Sequence, residues 1–154
     1  MRTGFAFLGV AAAVLSSPAA AQMVSAKDPQ SVVAALQAKG FQAQLDSANG
    51  RPSIRSGAGG LKLTIFFQNC TDGKACTTVT FATGFTDLEA TPLKMNQWNA
   101  ENRFTRAFID EENDPMLALD LDLDHQGIPR ANFNEYLDIW SSAASKYLDF
   151  LRGR

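Results

Sequence analysis

The sequence has little of what metal sites and nucleic-acid surfaces require. It contains one histidine and two cysteines, too few for a zinc ribbon or another Cys/His cluster. Its formal net charge is −2, with no block of five or six like charges, so neither a basic nucleic-acid surface nor a polybasic membrane-binding patch is expected. We therefore predict no metal, no cofactor and no nucleic-acid partner.

What the chain does contain is enough apolar sequence for one folded domain. Of its 154 residues, 45% are hydrophobic and 19% are charged. This composition excludes a disordered chain, and the length is typical of a single domain.

The first 21 residues have the features of a secretory signal peptide. Arg2 supplies a positive start, an apolar stretch runs from Phe5 to Leu15, and small residues precede the cleavage site. The apolar stretch is too short to span about 30 Å of hydrocarbon, which disfavours the alternative of an uncleaved anchor. We predict cleavage after Ala21, a single mature domain at residues 22–154, and a periplasmic or secreted location without a membrane span.

Cys70 and Cys76 then predict a disulfide, because an even pair of cysteines in an oxidising compartment is normally bonded. The intervening Asp72-Gly73 is typical of a hairpin turn. If the cysteines face each other, paired residue numbers sum to 146, and the odd positions of both strands form the more apolar face. A redox-active pair is the alternative, but such pairs usually have two intervening residues rather than five.

Local patterns predict an α+β domain with the element order α-β-β-β-β-α-β-β-α. Asp28-Pro29 and Thr91-Pro92 are typical helix starts, and Asn132 with Glu135 resembles a capping box. The predicted helices are 29–39, 92–103 and 132–151, and the predicted strands are 41–46, 52–55 (an edge strand after an Asn49-Gly50 turn), 61–69, 77–85, 104–111 and 116–124. Because strands and helices do not alternate, we expect an antiparallel sheet with helices on one face.

The alternating acids Asp120, Asp122 and Asp124 are the most obvious candidate for cation binding. Side chains on one face of a strand are nearly 7 Å apart stepwise, too far for one cation without further ligands. We interpret the three acids as a charged face that protects an edge strand from aggregation.

His125, the only histidine, follows Asp124 and is the one candidate general base. No nucleophile motif accompanies it, so we predict no catalytic residue and no enzymatic activity. A small periplasmic enzyme that uses His125 with Asp124 is the alternative function.

The second helix carries an unusual density of polar amides around a tryptophan. These residues are Asn96, Trp98, Asn99, Asn102 and Arg103. In the structural interpretation the amides cap neighbouring strand ends and Trp98 anchors the core. In the functional interpretation an exposed Trp98 is the centre of a recognition surface, as in an inhibitor or immunity-type partner.

Several segments together resemble a known family. They are Gly50–Ile54, Ile65–Cys70, Asn96–Asn99, Arg103–Ala107 and the strand of alternating Leu and Asp. Over about Asp28–Leu151 the chain resembles the YbjN-domain family of bacterial sensory transduction regulators. The resemblance implies a fold similar to that of type III secretion chaperones and the binding of a protein or peptide, and it assigns no catalytic residue. The leader and the cysteine pair depart from cytoplasmic members.

The sequence as a whole predicts a non-enzymatic extracytoplasmic module, chaperone-like or regulatory, that binds an unidentified protein or peptide. Apolar residues occur on both faces of the predicted sheet, so we expect a second protomer, giving a homodimer, or a client segment to cover one face. The predicted binding residues are Phe66, Asn96, Trp98, Asn99 and Arg103.

Overall fold

The structure of the protein is a computed structural model that describes residues 22–47, 50–58 and 60–154. The elements within these ranges are β1 (Met23–Val24), α1 (Pro29–Ala38), β2 (Ala43–Asp46), β3 (Ser53–Ala58), β4 (Leu61–Gln68), β5 (Thr78–Gly84), α2 (Pro92–Glu101), β6 (Arg106–Ile109), β7 (Pro115–Asp122), β8 (Ile128–Pro129) and α3 (Arg130–Leu151). The predicted order is confirmed, and the short strands β1 and β8 are added to it. The predicted signal peptide and Asn49 of the predicted turn lie outside the described residues.

Six of these strands form one antiparallel sheet in the order β2-β3-β4-β5-β7-β6, while β1 pairs only with β8. Two predicted edge positions are wrong. β3 extends to Ala58 and lies between β2 and β4, and β7 lies between β5 and β6. The acids of β7 therefore do not protect an edge, because β6 folds back on β7 and takes the outer position.

The central hairpin has the predicted register. Ile65 faces Phe81 and Phe67 faces Val79, and in the other pairs of β4 and β5 the two residue numbers likewise sum to 146. Cys70 and Cys76 are joined by a disulfide just beyond this pairing. Ile65 and Phe81 are fully buried, as expected for the apolar face of the hairpin.

Two helix starts follow the predicted capping chemistry. The Asp28 carboxylate accepts the Gln30 N–H at 3.1 Å, and the Thr91 hydroxyl oxygen accepts the Lys94 N–H at 3.2 Å. Each bond pairs one of the free amides of a helix N-terminus, so both helices begin where the sequence predicts.

The start of α3 was predicted two residues too late, and the capping box of Asn132 is wrong. α3 begins at Arg130, whose N–H donates to the Gln22 carbonyl at 2.8 Å. The adjacent β1–β8 pairing also explains Gly127, which has a φ of +79° and on which a methyl group would overlap the Val24 carbonyl oxygen. The contact with β1 thus replaces a side-chain cap at this helix start.

The core lies between α3, α1 and the sheet face that carries Phe81. The Phe81 ring meets Phe133 and Trp140 of α3 edge-on, with centroid distances of 5.8 and 5.9 Å. The buried stripe of α3 has helical spacing and comprises Phe133, Leu137, Trp140, Ala144, Tyr147 and Leu151. Among the described residues, no helix combines the length and apolar character needed to cross a membrane.

The opposite sheet face carries exposed side chains and no described helix. Its exposed residues include Arg55, Lys62, Phe66, Arg106, Asp120 and Asp122. Phe66 is 42% exposed, whereas Phe108 is half-buried with the Arg106 guanidinium 5.1 Å from its ring centroid. Helices on one face are thus confirmed, but the expectation of a second apolar face is wrong except around Phe66.

Candidate functional site

Trp98 is an interior residue of the fold. Its side chain is 1% exposed, and its indole N–H donates to the Thr105 hydroxyl at 3.2 Å. Its ring lies 4.8 Å from that of Tyr147 and 5.6 Å from that of Phe150 on α3. The structural interpretation of Trp98, as an anchor of the core, is therefore the one the geometry supports.

The amide of Asn99 is bonded to the outer edge of the sheet. It accepts the Ala107 N–H at 2.7 Å and donates to the Ala107 carbonyl at 3.0 Å. Asn99 thus takes the place of a neighbouring strand beside β6, which explains why an amide in the middle of a helix is tolerated here. Its polar atoms serve the fold and are not available as a recognition surface.

Asn96, Asn99 and Arg103 of the predicted α2 surface are exposed, but the amide of Asn99 is already bonded to Ala107. The Arg103 guanidinium lies 5.1 Å from the centroid of the Phe104 ring. A cavity of about 420 Å³ between α2 and α3 brings Trp98 and Arg103 to one surface, and its lining residues are Trp98, Asn102, Arg103, Asp138, Ile139, Ser142, Ala143 and Lys146. Phe66 lies on a different face of the molecule.

Around Phe66 the structure forms a concave surface at the end of the sheet that carries the disulfide. A first cavity of about 250 Å³ is lined by Arg51, Pro52, Ser53, Phe66, Phe67 and Gln68. Ser53 of β3 is opposite Phe66 of β4, so the pairing of these two strands brings the polar and aromatic walls together.

A second cavity of about 500 Å³ shares Pro52 with the first. Its lining residues are Ala26, Lys27, Pro29, Leu45, Ser47, Gly50, Pro52, Gly73, Lys74, Ala75 and Cys76. We call the two cavities together the disulfide-end groove. The loop closed by the disulfide forms one wall, and it lies so close to Gly50 that a methyl group on Gly73 would overlap the Gly50 carbonyl oxygen.

The disulfide-end groove has a positive, partly apolar lining. Among the described lining residues three are cationic, Arg51, Lys27 and Lys74, and none is a carboxylate. Lys27 is neutralised by Asp124, 3.0 Å away. Arg51 and Lys74 are exposed, and neither has an ion-pair partner in the part of the chain that the structure describes.

Asp120, in contrast, is fully engaged on the open sheet face. Its carboxylate accepts hydrogen bonds from the Thr80 hydroxyl at 2.6 Å and from Arg106 Nε at 3.0 Å. Partial burial acts to raise the pKa of Asp120, but the bonds from Arg106 and Thr80 and the charge of Arg106 outweigh burial and lower it. The arrangement is a surface ion pair rather than a catalytic acid.

The proposed catalytic pair of His125 and Asp124 does not form a proton-transfer dyad in the structure. Asp124 accepts the backbone N–H of His125 at 2.6 Å and pairs with Lys27, and these contacts lower its pKa. The side chain of His125 is exposed, and its backbone has a φ of +55°. The geometry is that of a polar turn after β7.

A cluster of Asp110, Glu112 and Asp114 at the β6–β7 turn has oxygens within 4.8 Å of one another, the spacing a cation could use. One oxygen of Asp110 already accepts the backbone N–H groups of Glu112 and Asp114, at 3.0 and 2.9 Å. The cluster therefore has a sufficient explanation as a turn stabilised by an aspartate side chain.

Arg51 and Lys74 were not identified from the sequence as site residues. Arg51 lines the same cavity as Phe66, and Lys74 lines the same cavity as Pro52. The usable local signals were the Cys70–Cys76 hairpin and the turn before β3, but neither shows that these two loops meet.

The fold defines a class of protein: a small α+β domain with helices on one sheet face and cavities at the end of the sheet that carries the disulfide. The model of the YbjN family, described as "Putative bacterial sensory transduction regulator", matches residues 28–153, and the chain belongs to this family. The family predicted from the sequence is thus confirmed, and the description of the family names a regulatory role rather than a chemical reaction.

A solved structure supports the same fold. The crystal structure described as "YbjN, a putative transcription regulator from E. coli" has a TM-score of 0.57 at 13% identity, covering 84% of this chain and 91% of that chain. At this identity the likeness concerns the fold alone. A search among curated proteins gave no match.

Proposed function

We propose that the protein is a non-enzymatic, extracytoplasmic regulatory module that binds a protein or peptide partner at the open sheet face around Phe66. The observation that carries the proposal is the 42% exposure of Phe66 beside a cavity, on a sheet face that no described helix covers. A large exposed aromatic at a concave site is typical of an interface anchor.

Binding accounts for the geometry better than catalysis does. Asp124 is bonded to Lys27 and to backbone rather than to the His125 ring, and Asp120 is held by Arg106 and Thr80. A general base must lie within hydrogen-bond reach of its partner groups, and these acids are occupied by structural contacts.

The extracytoplasmic location rests on the leader-like residues 1–21 and is consistent with the Cys70–Cys76 disulfide, since such bonds persist in oxidising compartments. Cell fractionation and intact-mass measurement test it. We expect mature protein that begins at Gln22 in the periplasmic or secreted fraction, and a full-length cytoplasmic product would contradict the location.

The binding function is tested by partner capture with Phe66→Ser. Leu93→Ser is the matched control, because Leu93 is 78% exposed on α2 and lines neither cavity. We expect Phe66→Ser to lose the partner and Leu93→Ser to keep it, with both variants as stable as the wild type. Equal capture by both variants would contradict the proposed site.

A second copy of the chain remains one predicted partner. Light scattering coupled to size exclusion measures the mass directly. The homodimer prediction requires that the wild type has twice the mass of one chain and that Phe66→Ser has the mass of a single chain. A monomer at all concentrations would restrict the function to binding a different protein.

A further inference from the structure

We infer that the partner segment is acidic and apolar, and that it binds in an extended form along the disulfide-end groove between Arg51 and Lys74. This inference rests on the proposed function and specifies the chemistry of its ligand. Neither the family description nor the structural neighbour assigns a ligand to this surface.

The charge of the lining is the first argument. Arg51 lies in the first cavity and Lys74 in the second, both exposed and without a described carboxylate beside them in the groove. The chain as a whole is acidic, with a formal charge of −2, so the described lining, with two cations that have no described ion-pair partner, is a local reversal of sign. Such a reversal steers and orients acidic partners.

The apolar part of the lining is the second argument. The exposed Phe66 lines the first cavity, while the half-buried Leu45 lines the second. A partner made of charges alone would leave these walls in water. Burying apolar side chains against them stabilises the complex in proportion to the area removed from water.

The shape of the groove is the third argument. The first cavity, of about 250 Å³, lies beside Phe66 on the open sheet face, and the second, of about 500 Å³, lies beside Leu45 on the helix-covered side. The two cavities share Pro52, so a segment that fills both must cross the end of the sheet at this residue. An extended chain rises about 3.3 Å per residue and can bridge the two cavities with few residues.

The rigidity of the walls is the fourth argument. The disulfide closes the loop that carries Lys74, and Gly73 of that loop is in close contact with Gly50. A wall that is ordered before binding lowers the entropic cost of association.

The experiment measures fluorescence anisotropy of three labelled octapeptides with the oxidised, mature chain. One peptide alternates Glu and Leu, the second alternates Lys and Leu, and the third alternates Glu and Ser. We expect saturable binding of the Glu-Leu peptide, weakened by salt, and at least about tenfold weaker binding of the other two.

Charge-reversal variants locate the site. Arg51→Glu and Lys74→Glu are each expected to weaken the Glu-Leu peptide about fivefold. Lys62→Glu is the matched control, since it reverses an exposed lysine on the strand of Phe66 outside the groove, and it should change affinity less than about twofold. Unfolding midpoints of all variants confirm that they are folded.

The inference is overturned if the Glu-Leu peptide does not bind at about 1 mM, if the Lys-Leu peptide binds equally well, or if all three reversals have the same effect. If partner capture still depends on Phe66 in that case, the proposed function stands and only the ligand chemistry is wrong. If capture is also independent of Phe66, both are wrong.

Discussion

The bond between Asn99 and the edge of β6 gives a quantitative prediction for stability. Asn99→Ala removes two hydrogen bonds to Ala107, of 2.7 and 3.0 Å. Each is worth about 0.5–1.5 kcal/mol net, and the partial exposure of Asn99 favours the lower half, so the loss is about 1–2 kcal/mol. Alanine is a better helix former than asparagine by about 0.6 kcal/mol, which offsets part of this loss.

Asn96→Ala is the matched control because Asn96 is exposed on the same helix and makes no described side-chain hydrogen bond. It should stabilise the protein by about 0.5 kcal/mol through helix propensity alone. The free energies of unfolding of the two variants should therefore differ by about 1–2 kcal/mol, or about 4–7 °C in Tm for a domain of this size.

Urea denaturation followed by tryptophan fluorescence measures this difference, since Trp98 and Trp140 are both buried. Hydrogen exchange gives the local readout, and the Ala107 amide should exchange faster in Asn99→Ala than in Asn96→Ala. Equal unfolding free energies, with unchanged protection of Ala107, would refute the role of Asn99 as a cover for the sheet edge.

Two further predictions concern the disulfide and the open-face ion pair. Replacing Cys70 and Cys76 by serine should lower the free energy of unfolding by about 2 kcal/mol in the chain-entropy model. Non-reducing mass spectrometry tests the bond itself, and two free thiols in the mature wild type would contradict it. The folded pKa of Asp120 is lowered, so its stabilising effect is present above its ordinary pKa of 3.8 and is lost as the pH falls through the lower folded value. Between pH 5 and pH 2 the wild type should therefore lose more stability than Asp120→Asn. The difference should be less than about 1 kcal/mol because the pair of Arg106 and Asp120 is half-exposed. If the free energies of unfolding in urea have parallel pH profiles for the two proteins, the pair contributes nothing to stability.

Helix starts were predictable because their chemistry is local. Asp28 and Thr91 bond amides within the next three residues, so the residue type at one position is nearly sufficient. The capping box at Asn132 failed for the opposite reason. Arg130 starts α3 through a bond to Gln22, more than a hundred residues earlier, and no local pattern reveals that contact.

The two interpretations of Trp98 could not be separated by sequence. An indole in an amide-rich helix fits a core anchor and an interface anchor equally, because both bury the ring and bond its N–H. Only the position of Tyr147 and Phe150 on α3 decides that the ring is covered within the same chain.

By itself the sequence determined the order of the elements and the register of the central hairpin. Alternation of apolar residues and the Cys70–Cys76 pair both act across a short loop, so they select the same pairing of β4 and β5. The tertiary structure alone decided that β7 pairs with β5, that Asn99 covers β6, and that two loops meet around Pro52 to form a groove. The β5–β7 pairing and the meeting of the two loops join residues distant in the chain, whereas Asn99 and Ala107 are eight residues apart. Hydrophobic periodicity and turn residues carry no information on any of these contacts.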